Sequence, residues 1–263
     1  MNESIAITTV TPSSKPRVLV TRAKHQQSVF LESCKQAGLE AITLPCIDIL
    51  PVSCEITVED ITQADLIFFT SRNAVEFAHA ILPLPWNKAS VYAVGRATER
   101  VLAKLVQPLV QEPIEPYTSE AFLNWYESQP PITNALIIKG IGGRGLIETK
   151  LRESGVNVVV KDVYKRVTPV VSDAQRHRVF IDNPPHIISI TSDDVLRNLV
   201  NIAGPDYADV LHSIPLVVNS QRCANTAAKL GFNHSAEVAY PPGDAGQMAA
   251  ILKKINNLTG SEI

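Results

Sequence analysis

The chain alternates between short unbroken apolar runs and longer stretches whose apolar residues recur every three or four positions. The runs are RVLVT (17–21), AITLP (41–45), DLIFFT (65–70), SVYAVG (90–95), NALIIKG (134–140), VNVVVKDVY (156–164), HIISIT (186–191) and IPLVVNS (214–220). Between them, spacings such as Val29, Leu31 and Cys34, or Leu146, Ile147 and Leu151, predict helices with one apolar face. Strands alternating with helices in this way predict α/β units built on parallel sheets.

The same pattern occurs twice. RVLVTRAK…LESCKQAGLEAITLPCIDI pairs with ALIIKGIGGRGLIETKLRESGVNVVVKDVYKR, each a strand, a polar turn, a helix closed by glycine (Gly38, Gly155) and a second strand. DLIFFTSRNAVEFA pairs with HIISITSDDVLRNL, VYAVGRATERVLAKL with LVVNSQRCANTAAKL, and PYTSEAFLNWY with PPGDAGQMAAIL. Four matches in one order, offset by about 120 residues, mark a tandem duplication and two similar α/β domains. Ligands of such sheets gather at the carboxyl ends of the strands.

Bulk properties narrow the function. The 263 residues suffice for two domains, and 45% hydrophobic with 19% charged residues describes an ordinary globular protein. A formal charge of -2 argues against a general nucleic-acid binder. Cys34, Cys46, Cys54 and Cys223 show no metal-ligand spacing, and the histidines lie singly in what read as surface or loop positions. The start, MNESIAITTVTPSSKP, lacks the character of a signal peptide and reads as a short leader, and no apolar run spans a membrane. These features predict a cytoplasmic protein without a metal centre, nucleic-acid partner or membrane partner.

Candidate chemistry sits at strand-to-helix turns. Thr70-Ser71 and Thr191-Ser192 end strands and open helices, so they either cap those helices or present amides to an anion; both roles fit one helix start. Gly95, with Arg96 and Thr98, opens another helix, by turn geometry alone or by admitting a ligand to the backbone. KGIGGRG (139–145) carries the G-x-G-x-x-G spacing of a dinucleotide turn, with Asp162 following. Its duplicate, VLVTRAKHQQ, has no glycine, and no Lys-Ser/Thr pair follows Gly145. The milder reading is a pliant, amide-rich loop between Lys139 and Arg144, suited to an anion. Tyr164, at the end of its apolar run beside Lys165 and Arg166, is either a packed boundary residue or a neutral proton donor.

The ordered set LVTR (19–22), FFTSRNAV (68–75), AVGRAT (93–98), TSEAFL (118–123), KGIGGRGLI (139–147), VYKR (163–166) and ITS (190–192) resembles uroporphyrinogen-III synthase over nearly the whole chain. The resemblance implies two flavodoxin-like α/β domains joined by a two-stranded connector, with the N-terminal segment exchanged between repeats. Residues 1–46 with 173–263 would form domain 1, 55–164 domain 2, and 47–54 with 165–172 the connector. Leu44-Pro45-Cys46 and Tyr164-Lys165-Arg166 would be the crossing strands. It also implies a cofactor-independent lyase, a monomer that closes hydroxymethylbilane into uroporphyrinogen III and meets the preceding pathway enzyme transiently. Tyr164 matches the family tyrosine assigned to departure of the hydroxyl. Arg22, Thr70, Ser71, Gly95, Thr98, Lys139, Gly142, Gly143, Arg144, Arg166 and Ser192 would hold the substrate. Where the family often has Gly-x-Thr, this chain has NSQRCA (219–224), so Ser220 stands in the glycine's place. Two rival readings remain open: a nucleotide-dependent oxidoreductase using the glycine loop, and a two-lobed binding module.

Overall fold

The computed structural model describes residues 15–83, 90–105 and 111–259. They fall into two compact units, Met1–Asp48 with Thr168–Ile263 as unit 1 and Ile49–Val167 as unit 2. The chain begins with β1 (Arg17–Val20), α1 (Ser28–Gln36) and β2 (Glu40–Thr43). It continues through β3 (Asp48–Pro51), α2 (Val58–Gln63), β4 (Leu66–Phe69), α3 (Arg72–Ile81), β5 (Ser90–Ala93) and α4 (Arg96–Leu102). Then come α5 (Ser119–Tyr126), β6 (Asn134–Gly140), α6 (Leu146–Glu153) and β7 (Asn157–Val167). The last third supplies α7 (Asp173–His177), β8 (Ile187–Ile190), α8 (Asp193–Ala203), α9 (Ala208–Ser213), β9 (Leu216–Val218), α10 (Gln221–Lys229), β10 (Glu237–Val238) and α11 (Asp244–Thr259).

Unit 1 holds one sheet in the order β10-β9-β8-β1-β2, and unit 2 one in the order β3-β7-β6-β4-β5. All five strands of the first run parallel, as do β7, β6, β4 and β5 of the second. The fold is therefore α/β with two mostly parallel sheets. All four residues of β4 and of β8 are buried, because helices cover both faces of a parallel sheet. Each of the eight apolar runs coincides with most of a strand. Of the two strands outside these runs, both short edge strands, β3 falls within the expected connector segment 47–54, and only β10 was missed.

The apolar spacing of α1 is shifted from the expected one. Phe30 and Cys34 are the fully buried pair, four residues apart on one face, whereas Val29 is 69% exposed. In α6, Ile147 and Leu151 make the equivalent contact. Both helices end where expected: Gly38 and Gly155 follow them with φ of 73° and 84°, the left-handed stop that glycine tolerates best. Leu44-Pro45-Cys46 lies outside any strand, although the Leu44 and Cys46 amides still donate to the Val20 and Thr21 carbonyls at 3.0 and 2.8 Å. Among the described residues no helix is long and apolar enough to cross a membrane.

One irregularity matters most. β6 and β7 pair in register through Ile138↔Lys161 and Lys139↔Asp162, and then slip, so that Gly140 faces Tyr164 and Val163 is skipped. A bulge of this kind redirects side chains that simple alternation would send to opposite faces. Val163 and Tyr164 are accordingly both buried, at 0% and 1% exposure. Because β7 runs on to Val167, Tyr164 lies inside its strand rather than at its end.

Candidate active site

In unit 2 the strand order reverses between β6 and β4, and the carboxyl ends of these two strands mark the place where open α/β sheets bind ligands. A cavity of about 210 Å³ opens there. It is lined by Thr70 after β4, Lys139 and Gly140 at the end of β6, Gly142, Gly143 and Arg144 of the loop, and Tyr164 and Arg166 of β7. Apart from Gly140, all of these are expected site residues, and the fold brings them together in one place. A larger hollow of about 610 Å³ in unit 1 runs along the edge strand β2, past Lys24, Glu40 and Arg178. It contains none of the expected site residues and lies beside a strand edge, so the smaller cavity is the better site on chemical grounds.

Tyr164 is the best-fixed group of this site. Its ring stacks on Phe77 at 5.8 Å between centroids, and the Arg166 guanidinium lies 5.5 Å from the ring centre. Its hydroxyl accepts from Arg166 Nη2 at 3.2 Å and lies 3.0 Å from Ser71 Oγ. Gly140 makes this possible, because a Cβ built there would stand 2.4 Å from Tyr164 Cζ. The first glycine of the fingerprint is therefore covered by a tyrosine ring and is closed to a pyrophosphate.

The rest of the loop is open and held in a conformation that glycine favours. Gly142 and Gly143 both have φ of 88° and are exposed, with nothing near an added Cβ, so backbone conformation alone explains the glycines. Arg144 pairs with Glu120 at the start of α5, both largely exposed. The Arg144 hydrogen bond holds the Glu120 carboxyl below its ordinary value, and the same bond raises the guanidinium. Lys139 is half-buried and has no ion-pair partner among the described residues.

The helix starts perform as capping residues should. Ser71 Oγ accepts from the Ala74 amide at 3.1 Å, and Ser192 Oγ from the Val195 amide at 3.3 Å. Gly95 begins α4 without a side-chain cap, and Tyr117 Cβ would lie 3.3 Å from an added Cβ. Arg96 Nε donates to the Tyr117 hydroxyl at 3.1 Å, which in turn donates to Glu115. Thr98 departs from expectation. At 4% exposure it faces inward with Leu102, one helical turn on, so its hydroxyl is not open to a ligand.

Ser192 and Arg22 belong to unit 1 and lie outside the cavity. Arg22 is only 6% exposed, lies over the Phe30 ring at 4.1 Å and binds Asp244 Oδ1 through Nη1 at 2.6 Å. It is a buried, anchored cation, not the free basic group expected from the sequence. Sequence reasoning missed Asp244, and likewise the Arg222–Asp193 pair at 3.0 Å across the starts of α10 and α8. An acidic residue in the first turn of a helix is the only local signal these carboxylates carry, and it names no partner.

The family model described as HEM4, uroporphyrinogen-III synthase HemD, matches residues 28–243. The chain belongs to this family. A uroporphyrinogen-III synthase of Chlorobaculum parvum is 30% identical over 201 residues, 71% of this chain and 79% of the relative. That of Salmonella typhimurium is 28% identical over 225 residues, 82% and 92% of the two chains. Among solved structures, uroporphyrinogen-III synthetase of Helicobacter pylori 26695 covers 92% of this chain and 100% of its own, with 14% identity and a TM-score of 0.60. A mutant uroporphyrinogen III synthase of Thermus thermophilus covers 94% and 100%, with 15% identity and a TM-score of 0.57. At these identities the likeness is one of fold. The uroporphyrinogen-III synthase match takes in the whole cavity, whereas Arg22 and Asp244 fall just outside it at either end.

Proposed function

We propose that the protein converts hydroxymethylbilane to uroporphyrinogen III, expelling water and inverting the last pyrrole ring, with no metal or organic cofactor. One observation carries the reading above the others: family membership over residues 28–243. The cavity supports it. A space of about 210 Å³ admits part of a tetrapyrrole, such as a ring edge with its acid side chains, and its rim offers amides and cations to carboxylates. Lys139, Arg144, Arg166 and the Gly142-Gly143 amides are the proposed contacts in unit 2, with Thr70, Ser71 and Gly95 at the neighbouring helix starts. Ser192 is the proposed contact in unit 1. Arg22 acts there by anchoring Asp244, and Thr98, buried in α4, leaves the set.

The chemistry begins with loss of the terminal hydroxyl as water, for which Tyr164 is the proposed proton source. The electron-poor azafulvene that remains is attacked by the last ring through its already substituted carbon. The spiro intermediate fragments and recloses at the neighbouring carbon. A proton returns to the site when that ring regains aromaticity, so none is consumed overall. Closure without inversion is easy in solution, and the protein's task is therefore chiefly geometric, holding both ends of the chain in the reactive arrangement.

The same proposal includes exchange of the N-terminal segment between repeats and a connector of residues 47–54 and 165–172. Pairing of β1 with β8, and of β6 with β4, supports the exchange, since each joins a strand of one repeat to a strand of the other. Pairing of β3 with β7 supports the connector. We further propose a monomer in a reducing, cytoplasmic setting, in keeping with cysteines that lack disulfide or metal spacing, and only transient contact with the enzyme that supplies hydroxymethylbilane. The test is direct. Purified protein given fresh hydroxymethylbilane, with no added cofactor, is expected to yield the type III isomer by chromatography, and formation of isomer I alone overturns the reading.

A further inference from the structure

We infer that Ser71, not Tyr164, is the group that hands the proton to the departing hydroxyl, with Tyr164 relaying it from behind. The inference rests on the proposed function and concerns how that reaction is driven. Tyr164 is 1% exposed, with its ring packed on Gly140 and stacked with Phe77 and its oxygen taken by two neighbours. It lines the cavity but opens almost none of its surface to it. Ser71, next to the lining residue Thr70 at the start of α3, is half-buried and touches both solvent and the tyrosine. A group that must meet a substrate hydroxyl needs the second kind of position.

The hydrogen-bond inventory gives the direction of transfer. Arg166 has only N–H groups to offer, so at 3.2 Å it donates to the Tyr164 oxygen. The Ala74 amide likewise donates to Ser71 Oγ at 3.1 Å. One proton then lies in the 3.0 Å contact between the two hydroxyls. If Ser71 supplied it, the phenolic O–H would be a buried donor with no third partner among the described residues, an arrangement that costs a full desolvation penalty. If Tyr164 supplies it, the chain Arg166→Tyr164→Ser71 is complete, and the uncommitted hydrogen is that of Ser71, at the exposed end.

The transfer balances. The Ser71 proton passes to the leaving oxygen as the carbon–oxygen bond breaks and water departs. The Tyr164 proton moves to Ser71, and the charge left on the phenolic oxygen is met by the Arg166 guanidinium. The proton released when the last ring rearomatises returns by the same chain. Arg166 and Gly140 are thus positioning residues, one orienting the phenolic oxygen and the other making room for its ring.

The experiment compares kcat, KM and isomer composition for the wild type, Ser71→Ala, Ser71→Gly, Ser71→Thr, Tyr164→Phe and the Ser71→Ala/Tyr164→Phe double variant. Glycine is included because it replaces a capping serine at small cost to the helix, so loss of folding does not obscure the result. We expect Ser71→Ala and Ser71→Gly to lose about 100-fold in kcat, the order of a general-acid contribution, with KM changed less than about two-fold. Ser71→Thr, which keeps the hydroxyl and the cap, is expected to retain most turnover. The double variant is expected to be no slower than the slower single variant, as for groups acting in series. Ser71→Ala and Ser71→Gly turning over within about two-fold of wild type, while Tyr164→Phe is slow, would mean direct delivery by Tyr164 and overturn the relay. A Ser71→Thr variant as slow as the alanine one would overturn it too. Failure of the underlying function is a separate result, since the wild type itself would then make only isomer I.

Discussion

Replacing Gly140 with alanine adds one carbon where there is no room for it. The new Cβ would lie 2.4, 2.5 and 2.9 Å from Tyr164 Cζ, Cε2 and Cε1. Carbon atoms rest at about 3.5–4.0 Å, so the ring must retreat by roughly 1 Å or more. Phe77, stacked on the ring at 5.8 Å between centroids, has to accommodate that movement. A shift of this size stretches the 3.0 Å contact with Ser71 beyond useful hydrogen-bond length. Overpacking costs about 1–3 kcal/mol and the lost hydrogen bond about 1 kcal/mol, for an expected destabilisation of about 2–4 kcal/mol. In a chain of this size that corresponds to a fall of roughly 4–16 °C in Tm. Turnover should drop more sharply than stability, by about 100-fold, because misplacing a reacting group by about 1 Å is enough. Calorimetry and the isomer assay measure the two effects. Gly155→Ala is the control: it meets nothing within 4 Å but sits at φ of 84°, so it should cost about 1–2 kcal/mol and leave kcat alone. In a Tyr164→Phe background, Gly140→Ala should add little to the loss of turnover, since both act through one hydroxyl. Wild-type turnover in Gly140→Ala would refute the claim that the ring's position matters.

Other consequences concern charge. Asp244→Asn leaves the Arg22 guanidinium buried without its anion, and because Asp244 is itself half-exposed the cost should be about 1–2 kcal/mol in urea unfolding; adding Arg22→Met should recover part of it. Burial alone would raise the Asp60 carboxyl, but hydrogen bonds from Lys161 and Thr57 outweigh this and hold it below its ordinary value. Its stabilising contribution is therefore full above about pH 4 and is lost as pH falls through the lowered folded-state value. Asp60→Asn should be less stable than wild type at pH 7 and nearly equal to it in strong acid, by urea midpoints at several pH values. Arg144→Ala should raise KM for hydroxymethylbilane about five-fold at low salt and less at high salt, with Tm unchanged, because its pairing with Glu120 is exposed.

Much of this was legible in one dimension because it is governed by near neighbours. Ser71 and Ser192 cap the helices that follow them, and Gly38 and Gly155 end the helices that precede them, through bonds spanning only a few residues. The phase of α1 was misjudged, with Val29 exposed and Phe30 buried, because Val29, Phe30 and Leu31 are all apolar and spacing cannot say which faces the sheet. Thr98 stood among the contacts that the family resemblance implies, but a third helical position four residues before Leu102 turns toward the core.

The order of strands and helices, the duplication and the family were determined by the sequence itself, since periodicity, capping and ordered motifs are local or cumulative properties of a chain. Only the tertiary structure decided what those parts would do together. Ser71 and Tyr164 are 93 residues apart, and nothing near either names the other. Their contact depends on β6 lying between β4 and β7, and on a one-residue slip that sets Gly140 opposite Tyr164. Such a slip arises where two strands pack against the same core, as a compromise between hydrogen-bond register and side-chain volume, and neither strand carries that information alone.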